Sequence, residues 1–406
     1  MTSVADPPPA TPNEDAAKAA QVESESSMPV AQAASADGVR IQLFARTDVG
    51  QVREHNEDNF LVADLTKRSR GLLEANRATA IGQQGAIFAV CDGMGGAAAG
   101  EIASQLAVDI IYERLVDGLG DRPVKRDELA RRLVRAIESA GLRIFQEAKA
   151  DRSRRGMGTT VTAAALVDEI LFFAQVGDSR GYILRGDTLV QLTRDQSLVN
   201  QLIEAGQLTE EEAETFEHNN IILQALGTSD TVQVDLTFAE IRKGDILLLC
   251  SDGLSGMVRF EDIRESLRSG MEPLDICKQL TERANAAGGH DNITVIIVNF
   301  DGPNLKERDA EGEPLKYRKY VLPDESMEER ATAPAGSAGA PGGASSEGAQ
   351  RAASNPPATW QEKGAHADHD YDRVDIPGTH VPIWMVVSII AGVVVLLAGT
   401  AFLLLR

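Results

Sequence analysis

Between Val39 and about Phe300 the chain repeats one pattern. A short, nearly unbroken apolar run is followed by a polar turn, then by another run or by a longer segment with helical spacing. Runs at 41–47, 59–63, 86–91, 159–167, 170–176, 181–185, 232–238, 245–250 and 292–300 predict strands, being short and rich in Val, Ile, Leu and Phe. Some are joined only by Asp168-Glu169 or Gly186-Asp187, which predicts hairpins and mainly antiparallel sheet. Helical spacing marks 99–118, 126–149, 197–205, 209–216, 260–268 and 273–287. In the first two, Ile102, Leu106, Ile111 and Leu115, and Leu129, Leu133, Ile137 and Ile144, make apolar faces suited to covering a sheet. The expectation is one α+β domain over residues 39–301.

The flanks read differently. Residues 1–38 are Ala, Pro, Ser and acidic residues, which predicts a disordered tract. Residues 302–381 turn charged and then Ala/Gly/Pro/Ser-rich, which predicts a disordered linker. Ile383 to Leu405 carries no charge over 23 residues. As a helix it spans about 34 Å, enough to cross a hydrocarbon core of about 30 Å. With Pro382 in the first turn and Trp384 at the interface, 382–405 is expected to be a transmembrane helix. No signal-peptide pattern precedes the domain and only Arg406 follows the span, so a tail anchor with a cytoplasmic globular part is expected. Cys91, Cys250 and Cys277 are odd in number and lack metal-type spacing. A formal net charge of −21 argues against a nucleic-acid partner, which needs basic patches.

Candidate chemistry begins where two apolar runs, AIFAVCDGMGG (86–96) and DILLLCSDGLSG (245–256), end in Asp-Gly. A carboxylate just past a buried strand is rigidly held yet still faces a cleft. The glycine lets the backbone turn sharply, admits a close neighbour, and leaves its carbonyl as a hard oxygen ligand. Carboxylates gathered this way repel unless a cation neutralises them, and all-oxygen ligation selects Mg²⁺ or Mn²⁺. Asp-Gly alone is a common turn, so the weight lies in accumulation. VREHNEDNF (52–60), FAQVGDSRGYIL (173–184) and GGHDNITVIIV (288–298) each put further carboxylates against a strand end.

TDVGQVREHNED, CDGMGGAAAGE, GMGTT, VGDSRGYILRGD, LLLCSDGLSG and GGHDNITV, in this order, resemble the Mg²⁺/Mn²⁺-dependent serine/threonine protein phosphatases of type 2C (PPM), in their bacterial form. The resemblance covers about residues 40–300. It implies a four-layer α-β-β-α sandwich of two antiparallel sheets flanked by helices, and hydrolysis of phosphoserine and phosphothreonine by a water activated between two Mn²⁺ or Mg²⁺ ions. On that basis Asp92 bridges the metals, the Gly93 carbonyl binds one, and Asp252 and Asp291 complete the other. Glu57 acts on the first metal through water and Asp58 orients the cluster. Asp178 with Asp252 holds a third, weaker metal, and Arg53 holds the substrate phosphate. The implied partners are phosphorylated proteins, namely bacterial Ser/Thr kinases and their substrates.

The general chemistry agrees. Two divalent cations offset the carboxylates, and the planar Arg53 fork suits phosphate oxygens. No Walker A sequence offers another route. Met94 stands where some members of the family carry His, so the leaving-group acid is unassigned, with metal-bound water, His55 and His290 as the alternatives. Residues 194–227 resemble the flap that borders the site in bacterial members. The competing reading, a catalytically silent phosphoprotein-binding module, would show lost ligands, and every expected ligand is present.

Overall fold

The central apolar runs become strands with both faces covered, which is why they read as near-continuous rather than alternating. A computed structural model describes residues 38–71, 78–95, 99–213, 216, 220–308 and 315–322. The strands are β1 (Arg40–Asp48), β2 (Asn59–Asp64), β3 (Ser69–Arg70), β4 (Thr79–Ala80), β5 (Ala86–Cys91), β6 (Gly93–Met94), β7 (Gly158–Thr159) and β8 (Val161–Val167). They continue with β9 (Ile170–Val176), β10 (Arg180–Arg185), β11 (Thr188–Gln191), β12 (Asp235–Glu240), β13 (Ile246–Cys250), β14 (Ile293–Asp301) and β15 (Tyr317–Lys319). The helices are α1 (Ala99–Val116), α2 (Arg126–Ala150), α3 (Leu198–Glu204), α4 (Glu210–Ala213), α5 (Asp252–Ser255), α6 (Phe260–Arg268) and α7 (Pro273–Ala286).

One sheet runs β11-β10-β13-β14-β1-β4 and the other β15-β12-β9-β8-β5-β2-β3, with antiparallel pairing throughout. Period-two alternation divides each central strand between two cores. In β5, Ala86, Phe88 and Val90 face the opposite sheet, while Ile87, Ala89 and Cys91 face α1 and α2. In β14, Ile296 and Val298 join the core between the sheets, and Ile293, Val295 and Ile297 pack under α7. The result is the expected four-layer sandwich.

The deepest face of α1 is Ala103, Ser104, Ala107, Val108, Ile111 and Leu115. The expected Ile102 and Leu106 only flank it, because small side chains let the helix approach the sheet closely. Asp252 opens the short helix α5, not a plain turn. Residues 302–381, expected as linker throughout, include a strand. β15 pairs with β12, and the Tyr320 ring stacks edge-on against Phe172 (5.1 Å) and Phe238 (5.5 Å). That aromatic burial holds the segment to the sheet. The expected disordered tract at 1–38 lies, but for Gly38, outside the described residues, as does the transmembrane helix expected at 382–405. Among the described residues no helix is long and apolar enough to cross a membrane.

β13 is fixed at its start by a fully buried carboxylate. Asp245 Oδ1 accepts from Arg185 Nε (3.0 Å), and Oδ2 from Arg185 Nη2 (2.6 Å) and the Arg242 amide (2.7 Å). Removing one member of such a pair strands the other. Asp245→Ala is expected to lower unfolding stability by about 3–5 kcal/mol, read as a lower urea midpoint. A midpoint within error of wild type would show that this pair does not anchor the strand.

Candidate active site

All the predicted carboxylates meet at one end of the sandwich, because the strands that carry them end or begin there. Glu57 and Asp58 directly precede β2, whose Asn59 pairs with Cys91, the residue before Asp92. Asp178 lies between β9 and β10, and Arg180 pairs with Cys250 at the end of β13. Cys250 also faces Val295 of β14, whose entry carries Asp291. Two sheets thus deliver acidic side chains to a single cleft.

The two Asp-Gly pairs owe their glycines to crowding. A Cβ on Gly93 would lie 2.3 Å from the Gly100 carbonyl oxygen and 2.4 Å from that of Glu57. On Gly253 it would lie 2.1 Å from the Asn292 carbonyl oxygen. Neither glycine has a positive φ, so close backbone approach, rather than the expected sharp turn, is the requirement.

Polar residues overlooked in the sequence hold this frame. Asn292 accepts from the Glu57 amide (2.8 Å) and donates to the carbonyls of Val49 (3.0 Å) and His55 (2.9 Å), pinning the segment that carries Arg53 and Glu57. The GMGTT motif supplies Thr159 and Thr160. The Thr160 amide and the Thr159 hydroxyl both donate to the Asp92 carbonyl at 2.8 Å, and the Asp92 amide donates to Thr160 Oγ1 (3.1 Å). Ser251 Oγ (2.8 Å) and Thr294 Oγ1 (2.7 Å) both donate to Asp58 Oδ2. These are lone hydroxyls and amides at strand ends, with no periodicity to flag them.

Electrostatics mark the cluster as incomplete. Burial pushes the Asp58 carboxyl up to about 8, against the lowering by its two hydroxyl donors. Burial, then the charge of Asp252, lifts Asp178 to about 7. Asp92 stands well above the ordinary carboxylate range, from burial and then the charges of Asp58 and Asp252. Its hydrogen bond with Asp252 favours a protonated Asp92 beside an ionised Asp252. Burial raises Asp252 and Glu57 as well. Asp58 Oδ1, Asp178 Oδ1 and Asp252 Oδ1 are buried without hydrogen-bond partners. Such orphaned anionic oxygens call for a cation.

Arg53 Nη2 lies 2.8 Å from Asp291 Oδ2, and the Asn292 amide donates to Asp291 Oδ1. The predicted phosphate binder and a predicted metal ligand are therefore paired with each other. No three acidic, His or Cys side chains among the described residues already form a group that could hold an ion. The donor set, all carboxylate and backbone oxygen with unpaired lone pairs, still fits a hard divalent cation. The segment at 194–227 forms α3 and α4, and its two ends are tied by backbone bonds between Leu198 and Ile221 (2.9 Å) and between Leu223 and Gln196 (2.8 Å). Arg180, also missed in the sequence, pairs with Asp195 (2.7 Å) and offsets part of the negative charge at Asp178 and Asp252.

Comparison with known proteins agrees with this geometry. The model of the family described as protein phosphatase 2C matches residues 72–292. The serine/threonine phosphatase stp of Listeria welshimeri is 38% identical over 256 residues, covering 62% of this chain and 93% of that protein. The protein phosphatase PhpP of Streptococcus pneumoniae is 40% identical over 271 residues, covering 67% and 100%. The catalytic domain of the phosphatase PstP, solved in complex with two manganese ions, superposes with a TM-score of 0.53 at 34% identity, covering 65% of this chain and 99% of that one. The chain belongs to the protein phosphatase 2C (PPM) family of serine/threonine protein phosphatases.

Proposed function

We propose that the chain dephosphorylates phosphoserine and phosphothreonine in proteins at the strand-end carboxylates, where Glu57, Asp92, Gly93, Asp252 and Asp291 hold two Mn²⁺ or Mg²⁺ ions. Asp178 and Asp252 would hold a third. The observation that carries this reading is the gathering of carboxylates with raised pKa values and orphaned buried oxygens at one cleft. Divalent cations held there would supply the charge that lets a phosphate dianion approach, and would acidify an attacking water. Arg53 presents its planar fork to the phosphate oxygens. Its contact with Asp291 sets any phosphate it binds directly beside the ligand set. Asp58, fastened by Ser251 and Thr294, orients the cluster rather than joining it. Met94 has no proton to give the departing serine or threonine oxygen, which leaves that step to solvent or to the exposed imidazoles of His55 and His290.

The uncharged stretch 383–405 supports a membrane anchor, with the catalytic domain in the cytoplasm. A linker over 323–381, beyond the strand β15, would have a reach of roughly 40 Å at about 5–6 Å × √n, which brings membrane-embedded Ser/Thr kinases and their substrates within range.

The deciding experiment is hydrolysis of p-nitrophenyl phosphate and a phosphothreonine peptide by the full chain, with and without Mn²⁺, beside Asp252→Ala. Metal-dependent turnover lost in the variant is expected. Folded, Mn²⁺-binding protein without turnover would overturn the reading in favour of a phosphoprotein-binding module. Arg53→Ala is expected to lower kcat/KM about 10- to 100-fold, mainly through KM, since a hydrogen bond to a charged group is worth about 1.5–3 kcal/mol. An unchanged KM would remove Arg53 from the phosphate site.

Metal removal has a signed consequence. Asp58 and Asp178 have carboxyl groups raised in the folded state to about 8 and about 7. The metal-free fold therefore binds more protons than the unfolded chain above about pH 4 and loses stability as pH rises through that window. Chelator-treated protein is expected to melt lower at pH 8 than at pH 6, and Mn²⁺ is expected to restore most of the difference. A flat profile would mean that the cluster is already neutralised.

A further inference from the structure

β1 ends in Asp48, five positions before Arg53, with a carboxylate whose partners lie outside the acidic cluster. Its Oδ1 accepts from the Gly50 amide (3.1 Å) and from Asn285 Nδ2 (3.2 Å), and its Oδ2 from Arg46 Nη2 (3.1 Å). Against the raising effect of burial, the bonds from Asn285, Arg46 and Gly50 hold this carboxyl below its ordinary range. Asn285 lies in the last turn of α7. Its Oδ1 is buried without a hydrogen-bond partner, a cost to folding that the helix end bears while Nδ2 serves Asp48.

The turn after Asp48 is pressed into the loop that leaves α7 and carries Asp291. Gly50 has a φ of +81°, and a Cβ there would lie 2.3 Å from the Asp291 carbonyl oxygen and 2.8 Å from that of Gly289. The Gln51 amide donates to the Gly289 carbonyl (2.8 Å). Further along, Asn292 Nδ2 holds the carbonyls of Val49 (3.0 Å) and His55 (2.9 Å). Arg53 sits between these ties with a half-exposed side chain, so its aim depends on the backbone that carries it. Asn292 also holds the Glu57 amide and so acts on the acids as well. Asp48 and Asn285 act on the Arg53 side of the loop.

We propose that Asp48, braced by Asn285, is a positioning residue for Arg53. It fixes the turn at 48–51 so that the guanidinium stands beside Asp291, where a substrate phosphate would be received. The inference rests on the phosphatase reading above and assigns Asp48 to phosphate capture, apart from metal binding and water attack. Without the brace Arg53 samples more positions, and a misplaced donor weakens phosphate binding while the carboxylate cluster keeps its shape.

The test compares Asp48→Ala, Asp48→Asn, Arg53→Ala and the double variant Asp48→Ala/Arg53→Ala in the full chain in detergent, with folding checked by circular dichroism. One readout is KM and kcat for p-nitrophenyl phosphate with Mn²⁺. The other, independent of turnover, is the calorimetric affinity of the Mg²⁺-loaded protein for inorganic phosphate. Asp48→Ala is expected to raise KM and weaken phosphate binding about 10-fold, with kcat changed by less than about 2-fold. Asp48→Asn keeps an oxygen for Gly50 and Asn285 and is expected to recover most of that loss. The double variant is expected to be no worse than Arg53→Ala, because Asp48 acts through Arg53. Losses that multiply, or a folded Asp48→Ala with unchanged KM and phosphate affinity, overturn the proposal. If Asp48→Ala does not fold, Asn285→Ala decides in the same way, a raised KM supporting the brace and an unchanged one overturning it. A wild-type chain that binds phosphate without turnover would sink the phosphatase reading, and the phosphate affinities would still judge the brace.

Discussion

Uncompensated negative charge at the end of the sandwich is the constraint on which the rest of the site depends. β13 shows it within one strand. At its start Asp245 is wholly buried, yet both oxygens are met by Arg185 and a backbone amide. Just past its end Asp252 keeps one oxygen without a partner and shares a proton-dependent contact with Asp92. The same residue type on the same rigid element is neutralised where the fold supplies its cation, and left with a raised pKa where the fold withholds it. Arg180 and Arg53 stand against the cluster, and neither neutralises it. One is held by Asp195 and the other reaches outward to half exposure.

Such a cluster keeps its shape only if the backbone around it cannot relax. Chain segments pass so closely at Gly93 and Gly253 that a single methyl group would not fit. Asn292 ties three backbone groups of the loop between β1 and β2, and Thr159 with Thr160 grips Asp92 from the neighbouring strand. These neutral hydrogen bonds position the acids without neutralising them. A lysine or arginine in their place would have neutralised the carboxylates and competed with a cation for them.

Much of this was legible in the sequence, for a physical reason. Strands covered on both faces leave apolar runs that polar turns punctuate sharply, so 86–91 and 170–176 coincide with β5 and β9. The acids stand out because each interrupts a run. What stayed hidden was short or aperiodic. β3, β6 and β7 are two residues long, and β15 is exposed along its length and held by pairing and by Tyr320 beyond it. Asn292, Ser251 and Thr294 look like ordinary strand-flanking residues until the fold brings them to Glu57 and Asp58. The pairing of Arg53 with Asp291 was equally invisible, since 238 positions separate them.

That pairing sets how readily the site can change state. The Arg53 side chain is 50% exposed and that of Asp291 34%. An ion pair so open to water contributes only about 0–1 kcal/mol. It holds the guanidinium over the cleft without a large barrier to separation. Asp291 and Arg53 can therefore separate at little expense to the fold, as the proposed binding of a divalent cation by one and a phosphate by the other requires. A buried pair like Arg185 with Asp245 could not do this, because separating it would strand two charges away from water. The exposure of the first pair suits the proposed exchange of partners, and the burial of the second suits an anchor.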